Sequence, residues 1–196
     1  MNHKNIQRMT GLALFTAIIV VLQLVSTFVR FGPFSITLAL IPIIVGAAVY
    51  GPGSGAYLGG VFGVVTLAAS AFGWDLGGNV LWNAQPLLTA LICLVKGIAA
   101  GAAAGAVYRA LARKNVTGGA LAAAVVSPVV NTGLFLLALY TLFPDVLAAW
   151  ASDAGADVAT YILTGLVGVN FLVELAVNLV INPVIVRILR ARNAFA

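Results

Sequence analysis

The sequence predicts an all-α integral membrane protein, built as a compact bundle of six transmembrane helices in a single domain over residues 1–196, with both termini cytoplasmic. Of the 196 residues, 62% are apolar and 8% are charged, whereas roughly a quarter of the residues in a soluble domain are charged. Much of any small globule faces water, so a soluble fold of this length cannot bury so much apolar surface. The apolar residues also form six runs of about the length that crosses a bilayer.

The first three runs follow one another closely. The first covers residues 10–29; it is too long for the core of a signal peptide, and no clean small-residue cleavage site follows it. The second covers residues 34–50, after a break at Gly32-Pro33, and the third covers residues 56–72, after a glycine-rich turn. We therefore expect three consecutive transmembrane helices.

The second half of the chain contains the other three predicted helices. Pro86 begins the fourth, which ends near Arg113 and Lys114. The fifth runs from about 119 to 143 and the sixth from about 158 to 189. The connection over residues 144–157 is the longest polar one, and we expect it at the outer surface.

Positive charges set the predicted orientation, because Lys and Arg collect in the cytoplasmic connections of membrane proteins. The alternate connections carry Arg30 and the four aspartates instead. An even number of helices puts both termini on one side, which we predict to be the cytoplasm. Eight of the ten basic residues lie in the terminal segments and in the connection between the fourth and fifth runs: Lys4, Arg8, Arg109, Arg113, Lys114, Arg187, Arg190 and Arg192.

The sequence lacks the residue sets that most chemistry in a membrane requires. Cys93 is the only cysteine, so neither a disulfide nor a thiolate metal site is available. The only histidine is His3, outside the apolar runs, which argues against a serine protease or a metal hydrolase. No phosphate-binding glycine motif is present. We expect no enzyme, no cofactor and no metal, and the net charge of +5 indicates cytoplasmic connections rather than a nucleic-acid partner.

Two charged side chains fall inside the predicted spans. Lys96 lies ten residues past Pro86, which is about 15 Å along the fourth helix. Glu174 lies in the middle of the sixth run, and Asn170, Asn178 and Asn182 continue the same face at a spacing of four. Such charges cost roughly 2.5–3.5 kcal/mol each on insertion scales, so they are candidates for function.

The polar groups inside the membrane allow two interpretations. In one, Lys96 and Glu174 form an ion pair that fixes the helix register, and the asparagines bond across helices. In the other, they line an outward-facing cavity for a small polar solute, together with Asn131-Thr132 and a polar group at the outer mouth of the fourth helix. The convergence of so many polar side chains at one depth favours the cavity. The candidate substrate-binding residues are Asn79, Trp82, Asn83, Gln85, Lys96, Asn131, Asn170, Glu174 and Asn178.

Small residues recur at a spacing of four on three helices, which lets neighbouring helices approach closely. Two of these ladders, Gly51 to Gly63 and Gly97 to Gly105, are predicted to pack within the bundle. The third, Ala13 and Ala17, lies near the cytoplasmic end of the first helix. Its position suggests a flat patch that receives a helix of another subunit.

With these features, the chain resembles the substrate-binding S components of energy-coupling factor (ECF) vitamin transporters over nearly its whole length. The segment from Phe34 to Ala56 is similar to the passage between the second and third helices of that family. Ala13 and Ala17 match its AxxxA patch.

The resemblance implies a prokaryotic cell-membrane protein that captures a vitamin from outside. It then docks, through Ala13 and Ala17, on a transmembrane coupling subunit that carries two ATPase subunits.

The identity of the vitamin is a further expectation. Lys96 suits an anionic solute, and Glu174 and the asparagines suit hydroxyl and amide groups. The segments 128–133 and 170–174 resemble the pantothenate-specific members, and pantothenate carries a carboxylate, an amide and hydroxyl groups. Few aromatic residues are expected at the site, which argues against the flat rings of riboflavin and folate. Biotin, cobalamin and riboflavin remain alternatives, as do a structural protein with a polar register clamp and a stand-alone channel.

Overall fold

The computed structural model describes residues 3–28, 30–31, 34–35 and 37–194, and over them the chain is almost entirely helical. Two very short strands lie between the first two helices. The elements in chain order are α1 (His3–Thr27), β1 (Arg30–Phe31), β2 (Phe34–Ser35), α2 (Leu40–Tyr50), α3 (Pro52–Ala71), α4 (Leu76–Ala84), α5 (Pro86–Leu111), α6 (Val116–Leu142), α7 (Pro144–Asp153), α8 (Val158–Tyr161), a π-helical segment (Ile162–Phe171) and α9 (Leu172–Ala194).

Five helical stretches of the described chain are long and apolar enough to cross a membrane, where the sequence predicted six. They are Asn5–Thr27, Pro52–Ala71, Pro86–Leu111, Val116–Leu142 and Val158–Arg190. The second predicted run, residues 34–50, forms only the 11-residue helix α2. At about 1.5 Å per residue α2 is about 16 Å long, roughly half of the hydrocarbon core of a bilayer. The predicted count of six spans is therefore not confirmed.

The residues before α2 form interactions outside a helix. Strands β1 and β2 pair antiparallel, with Phe31 opposite Phe34. The backbone N–H of Thr37 donates to the Glu174 carboxylate at 2.9 Å, instead of entering a helix. These contacts explain why the helix begins at Leu40. The predicted break at Gly32-Pro33 lies outside the described residues.

The connections at one end of the bundle are themselves helical. Residues 73–85, predicted as a connection, contain α4, and the predicted polar connection 144–157 contains α7. Pro144 occupies the first turn of α7, where its missing N–H costs nothing. Leu81 of α4 and Leu147 of α7 belong to one buried apolar cluster with Leu139 and Tyr161. We call this end of the molecule the capped end.

The opposite end carries most of the positive charge, and we call it the basic end. Arg8 of α1 donates to the Ser54 hydroxyl at 2.9 Å, beside the turn between α2 and α3. Arg190 of α9 donates to the Thr117 hydroxyl at 2.8 Å, beside the turn between α5 and α6. The beginning of α1 and the end of α9 therefore lie at the same end of the bundle.

The closest helix packing joins α3 and α5, which run antiparallel. A Cβ placed on Gly59 would overlap the carbonyl of Gly97, and a Cβ placed on Gly55 would overlap the carbonyl of Gly101. The two backbones are therefore in direct contact, as the small-residue spacing predicted. Phe62 of α3 lies in the same layer, is fully buried and contacts the core cluster around Ile43 and Leu58.

Candidate functional site

A partly open cavity lies in the half of the bundle next to the capped end. Its empty space is about 780 Å³, a figure that includes the open solvent at its mouth. Helices α1, α3, α4, α5, α6 and α9 and the π-helical segment all contribute to its wall. The side chains that bear on its chemistry are Gln23, Thr37, Phe62, Thr66, Ser70, Asp75, Thr89, Cys93, Lys96, Asn131, Thr132, Phe135 and Glu174.

Lys96 extends from α5 into this cavity between two aromatic rings. Its ammonium lies 5.7 Å from the centre of the Phe62 ring and 5.1 Å from the centre of the Phe135 ring. Both distances fall within the range of cation–π attraction. In the part of the chain that the structure describes, no ion pair joins Lys96 to Glu174. The direct ion pair of the structural alternative is therefore not formed.

Glu174 lies in the first turn of α9, directly after the π-helical segment, and is 5% exposed. One carboxylate oxygen, Oε1, accepts the hydrogen bond from the Thr37 backbone N–H. This contact ties the segment before α2 to the wall of the cavity. The other oxygen, Oε2, is buried without a hydrogen-bond partner among the described residues.

Three of the predicted binding residues meet at the cavity: Lys96, Asn131 and Glu174 line it together. Asn178 is fully buried one turn beyond Glu174 and does not line the cavity. The side chain of Asn170 lies outside the described residues.

The four residues predicted at the outer mouth lie on α4 or directly after it, away from the cavity wall. They are Asn79, Trp82, Asn83 and Gln85. Asn79 donates to the Ser70 carbonyl at 2.9 Å and accepts from the Asn83 amide at 3.0 Å. Helix α4 instead turns Gly78 and Leu81 to the cavity, because residues three apart share one helix face. Asn83 and Gln85 are exposed and Trp82 is half-buried; none of them is among the lining residues.

Several polar side chains line the cavity that the sequence did not predict there. Asp75 was assigned to an outer connection, but it is 7% exposed and lines the cavity. It follows Thr66 and Ser70, which are buried on one face of α3 and also line the cavity. The spacing of four between these two hydroxyl residues was a signal for a polar face on α3. Gln23, Thr37 and Thr89 complete the set.

Two phenylalanines bear on the expectation that few aromatic residues line the site. Phe62 and Phe135 both do so, and both face the Lys96 ammonium. The number of aromatic residues at the cavity therefore does not argue against vitamins with flat rings, such as riboflavin and folate.

The proposed docking patch lies on the most exposed of the spans. Only 17% of the most apolar stretch of α1 is buried inside the bundle. Ala13 and Ala17 are exposed, and so are Leu14 and Ile18 beside them. Gly11 faces the ring of Tyr50 on the inner side of the helix. The two alanines thus lie on an apolar face that the other described residues leave uncovered.

An apolar bundle around a partly enclosed, charged cavity is the architecture of a membrane protein that holds a small polar solute. Among the residues that the structure describes, no group of three His, Cys, Asp or Glu side chains could hold a metal ion.

The chain belongs to the family described as the substrate-specific component of ECF transporters, whose model matches residues 7–186. Members of this family bind a transported substrate and are not enzymes. The chain is also 29% identical, over 93% of both chains, to the pantothenic acid transporter PanT of Lactococcus lactis subsp. cremoris strain MG1363.

Proposed function

We propose that the protein is the pantothenate-binding S component of an ECF-type importer. It takes the vitamin from outside the cell and delivers it to an ATP-driven module. The observation that carries this proposal is the Lys96 ammonium, held at the cavity by Phe62 and Phe135 without an ion pair to Glu174. The similarity to a pantothenic acid transporter over 93% of the chain supports the choice of vitamin.

Lys96 binds the carboxylate of the ligand. An ammonium group in a cavity of low dielectric gains more from an anion than the same group does in water. The amide and hydroxyl groups of the vitamin then bond to Asn131, Thr132 and Gln23, which line the same cavity. The pairing explains how the cavity selects an acid over a neutral analogue of the same shape.

The orientation follows from the charges at the two ends. The basic end, with Arg8, Arg109, Arg113 and Lys114, faces the cytoplasm of a prokaryotic cell, because basic residues are retained on that side. The capped end then faces outward, next to the cavity. The exposed face of Ala13 and Ala17 docks on the coupling subunit of a module with two ATPase subunits.

The test compares two ligands with two proteins. Calorimetry on the purified chain without ATP measures the affinity for pantothenate and for panthenol, in which an alcohol replaces the carboxylate. The panel also includes biotin, riboflavin and cobalamin. We expect saturable, stoichiometric binding of pantothenate and about 100-fold weaker binding of panthenol, as for a charge-assisted hydrogen bond of about 3 kcal/mol.

Lys96→Met removes the charge and keeps most of the side-chain volume. This variant should bind both ligands with the same low affinity, because the group that distinguishes them is gone. Lys114→Met, at the exposed basic end, should bind like the wild type. Equal affinity of the wild type for both ligands would show that Lys96 does not bind the carboxylate. Tighter binding of another vitamin in the panel would show that this vitamin, and not pantothenate, is the substrate.

A further inference from the structure

A line of buried polar side chains continues from the cavity towards the basic end, between α6 and α9. We call it the α6–α9 seam. Each member is at most 7% exposed. The seam consists of Ser127, Asn131, Glu174, Asn178 and Asn182.

The register of the two helices places these residues side by side. Asn131 and Glu174 both line the cavity, and the contact from Arg190 to Thr117 shows that α6 and α9 run antiparallel. One turn closer to the basic end, Ser127 follows Asn131 on α6 and Asn178 follows Glu174 on α9. Asn182 extends the seam by another turn, so that it is about 12 Å long at about 1.5 Å per residue.

Every member of the seam has a buried oxygen without a hydrogen-bond partner among the described residues. The amide nitrogen of Asn178 donates to the Glu174 carbonyl at 2.8 Å, which leaves the oxygen Oδ1 as the end without a partner. A buried acceptor without a donor costs free energy, so native proteins supply one. The oxygens are Ser127 Oγ, Asn131 Oδ1, Glu174 Oε2, Asn178 Oδ1 and Asn182 Oδ1.

We propose that the seam is a second binding site, for small guests that present positive charge density to oxygen. Ordered water and a monovalent metal cation share this chemistry. Hard cations prefer carboxylate, amide and hydroxyl oxygens, and a single carboxylate matches a single positive charge. Water satisfies the same acceptors as a donor. Neither an anion nor an apolar group is complementary to the seam.

The guest enters from the cavity. On the other side of Asn182, the buried apolar residues Ala120, Ala123, Ile185 and Leu189 belong to the core cluster of the basic end. This layer closes the seam towards that end. The seam shares Asn131 and Glu174 with the cavity, and Ser127, Asn178 and Asn182 belong to the seam alone.

The first experiment tests the cation. The melting temperature of the purified chain is measured in NaCl and in N-methylglucamine chloride at equal ionic strength. A bound Na⁺ at about 100 times its dissociation constant raises the melting temperature by at least about 5 °C. This rise should disappear in Ser127→Ala, which removes one oxygen and little volume. It should persist in Ser152→Ala, a matched change at an exposed site on α7.

The second experiment tests water. Radiolytic hydroxyl labelling, read by mass spectrometry, modifies side chains that contact bound water inside a protein. Without a cation effect, we expect labelling of residues 124–130 and 175–182 in the wild type, ranges that leave out the cavity-lining Asn131 and Glu174. The labelling should be weaker in Asn178→Leu and in Ser127→Ala, and unchanged in Ser152→Ala. If Asn178→Leu does not fold, Ser127→Ala alone decides.

The absence of both effects would overturn the proposal. A melting temperature independent of the cation, together with unlabelled seam peptides, would mean that the oxygens are buried without a guest. Vitamin binding is measured separately, so failure of this proposal can be distinguished from failure of the proposed function.

Discussion

Lys96 shows how aromatic rings can surround an ammonium group inside a cavity. Each ring near its ammonium contributes about 0.5–2 kcal/mol through cation–π attraction. Two rings together approach the cost of roughly 2.5–3.5 kcal/mol that insertion scales assign to a charged residue. Phe62 and Phe135 can therefore stabilise the ammonium before a ligand arrives. This arrangement leaves the ammonium available to an incoming carboxylate.

We expect Glu174 to stabilise the folded protein through its hydrogen bond to the Thr37 backbone N–H. Glu174→Gln keeps an oxygen that can accept this bond, whereas Glu174→Ala leaves the buried Thr37 N–H without an acceptor. We expect the alanine variant to be less stable than the glutamine variant by about 1–3 kcal/mol. Thermal unfolding of the two purified variants, side by side, measures the difference. Equal melting temperatures would mean that the bond contributes nothing to stability.

The sequence could reveal Lys96, Asn131 and Glu174 because polar residues inside apolar runs are rare and costly. It could not reveal Asp75 in the same way. Asp75 belongs to a connection by its position in the chain, and it is buried only because α4 packs back over the cavity. The sequence could not show that Asn79 and Asn83 lie off the cavity wall either, since the face that α4 turns inward is decided by tertiary packing.

At the scale of helices, the contact between α3 and α5 leaves no room for an added atom at Gly59. A Cβ on Gly59 would overlap the Gly97 carbonyl, whereas a Cβ on its neighbour Gly60 would meet only the side chain of Ile98, at an ordinary 3.5 Å. Gly59→Ala should therefore destabilise the protein by about 1–3 kcal/mol, as overpacking does.

Gly60→Ala, on the same helix, is the matched control. It should be neutral or stabilising, by up to about 1 kcal/mol, because alanine is the better helix former. Melting temperatures in detergent separate the two variants. A Gly59→Ala protein as stable as Gly60→Ala would show that α3 and α5 are not in backbone contact.

Asp157 caps the helix that leads into the last span, and its effect depends on pH. Its carboxylate accepts from the Thr160 hydroxyl at 2.6 Å and from the Thr160 backbone N–H at 3.0 Å. Both hydrogen bonds lower the pKa of Asp157, and the bond from the hydroxyl has the larger effect. Since the folded protein then binds a proton less readily than the unfolded chain, the contribution to stability is present above the unfolded pKa. It is lost as the pH falls through the folded pKa.

Asp157→Ala removes this contribution. We expect the variant to melt at a lower temperature than the wild type at neutral pH, and the difference to shrink as the pH falls below about 4. Melting curves of both proteins over this range measure the effect. A difference that stays constant down to the lowest pH would show that the charge of Asp157 plays no part in the cap.

The helical elements were predictable to different degrees. The five long spans follow from length and composition alone, because lipid accepts only segments that satisfy their own backbone hydrogen bonds. Helix α2 was predicted too long, because the contacts of β1, β2 and Thr37 compete with the helix for the same residues. Helices α4 and α7 were missed because both are short and contain polar residues that resemble a connection.

At the scale of the whole molecule, binding and transport should be separable. Ala13→Trp and Ala17→Trp add bulk to an exposed face of α1, and neither residue lines the cavity. Both variants should bind pantothenate like the wild type and abolish its uptake by cells that contain the complete transporter. Calorimetry and uptake of labelled vitamin check the two halves of the prediction.

Leu137→Trp is the control for this experiment. Leu137 is 60% exposed on α6, so its replacement adds the same ring to another membrane-facing surface. Uptake should persist in this variant. Normal uptake in Ala17→Trp would move the docking surface elsewhere, and loss of binding would mean that the substitution disturbs the bundle.

The bond from Thr37 to Glu174 joins residues 137 positions apart in the chain. During synthesis the segment before α2 leaves the ribosome long before α9 has been made. That segment cannot reach its final conformation until the last helix has entered the membrane. The wall of the cavity is therefore complete only once α9, which carries Glu174, has been made.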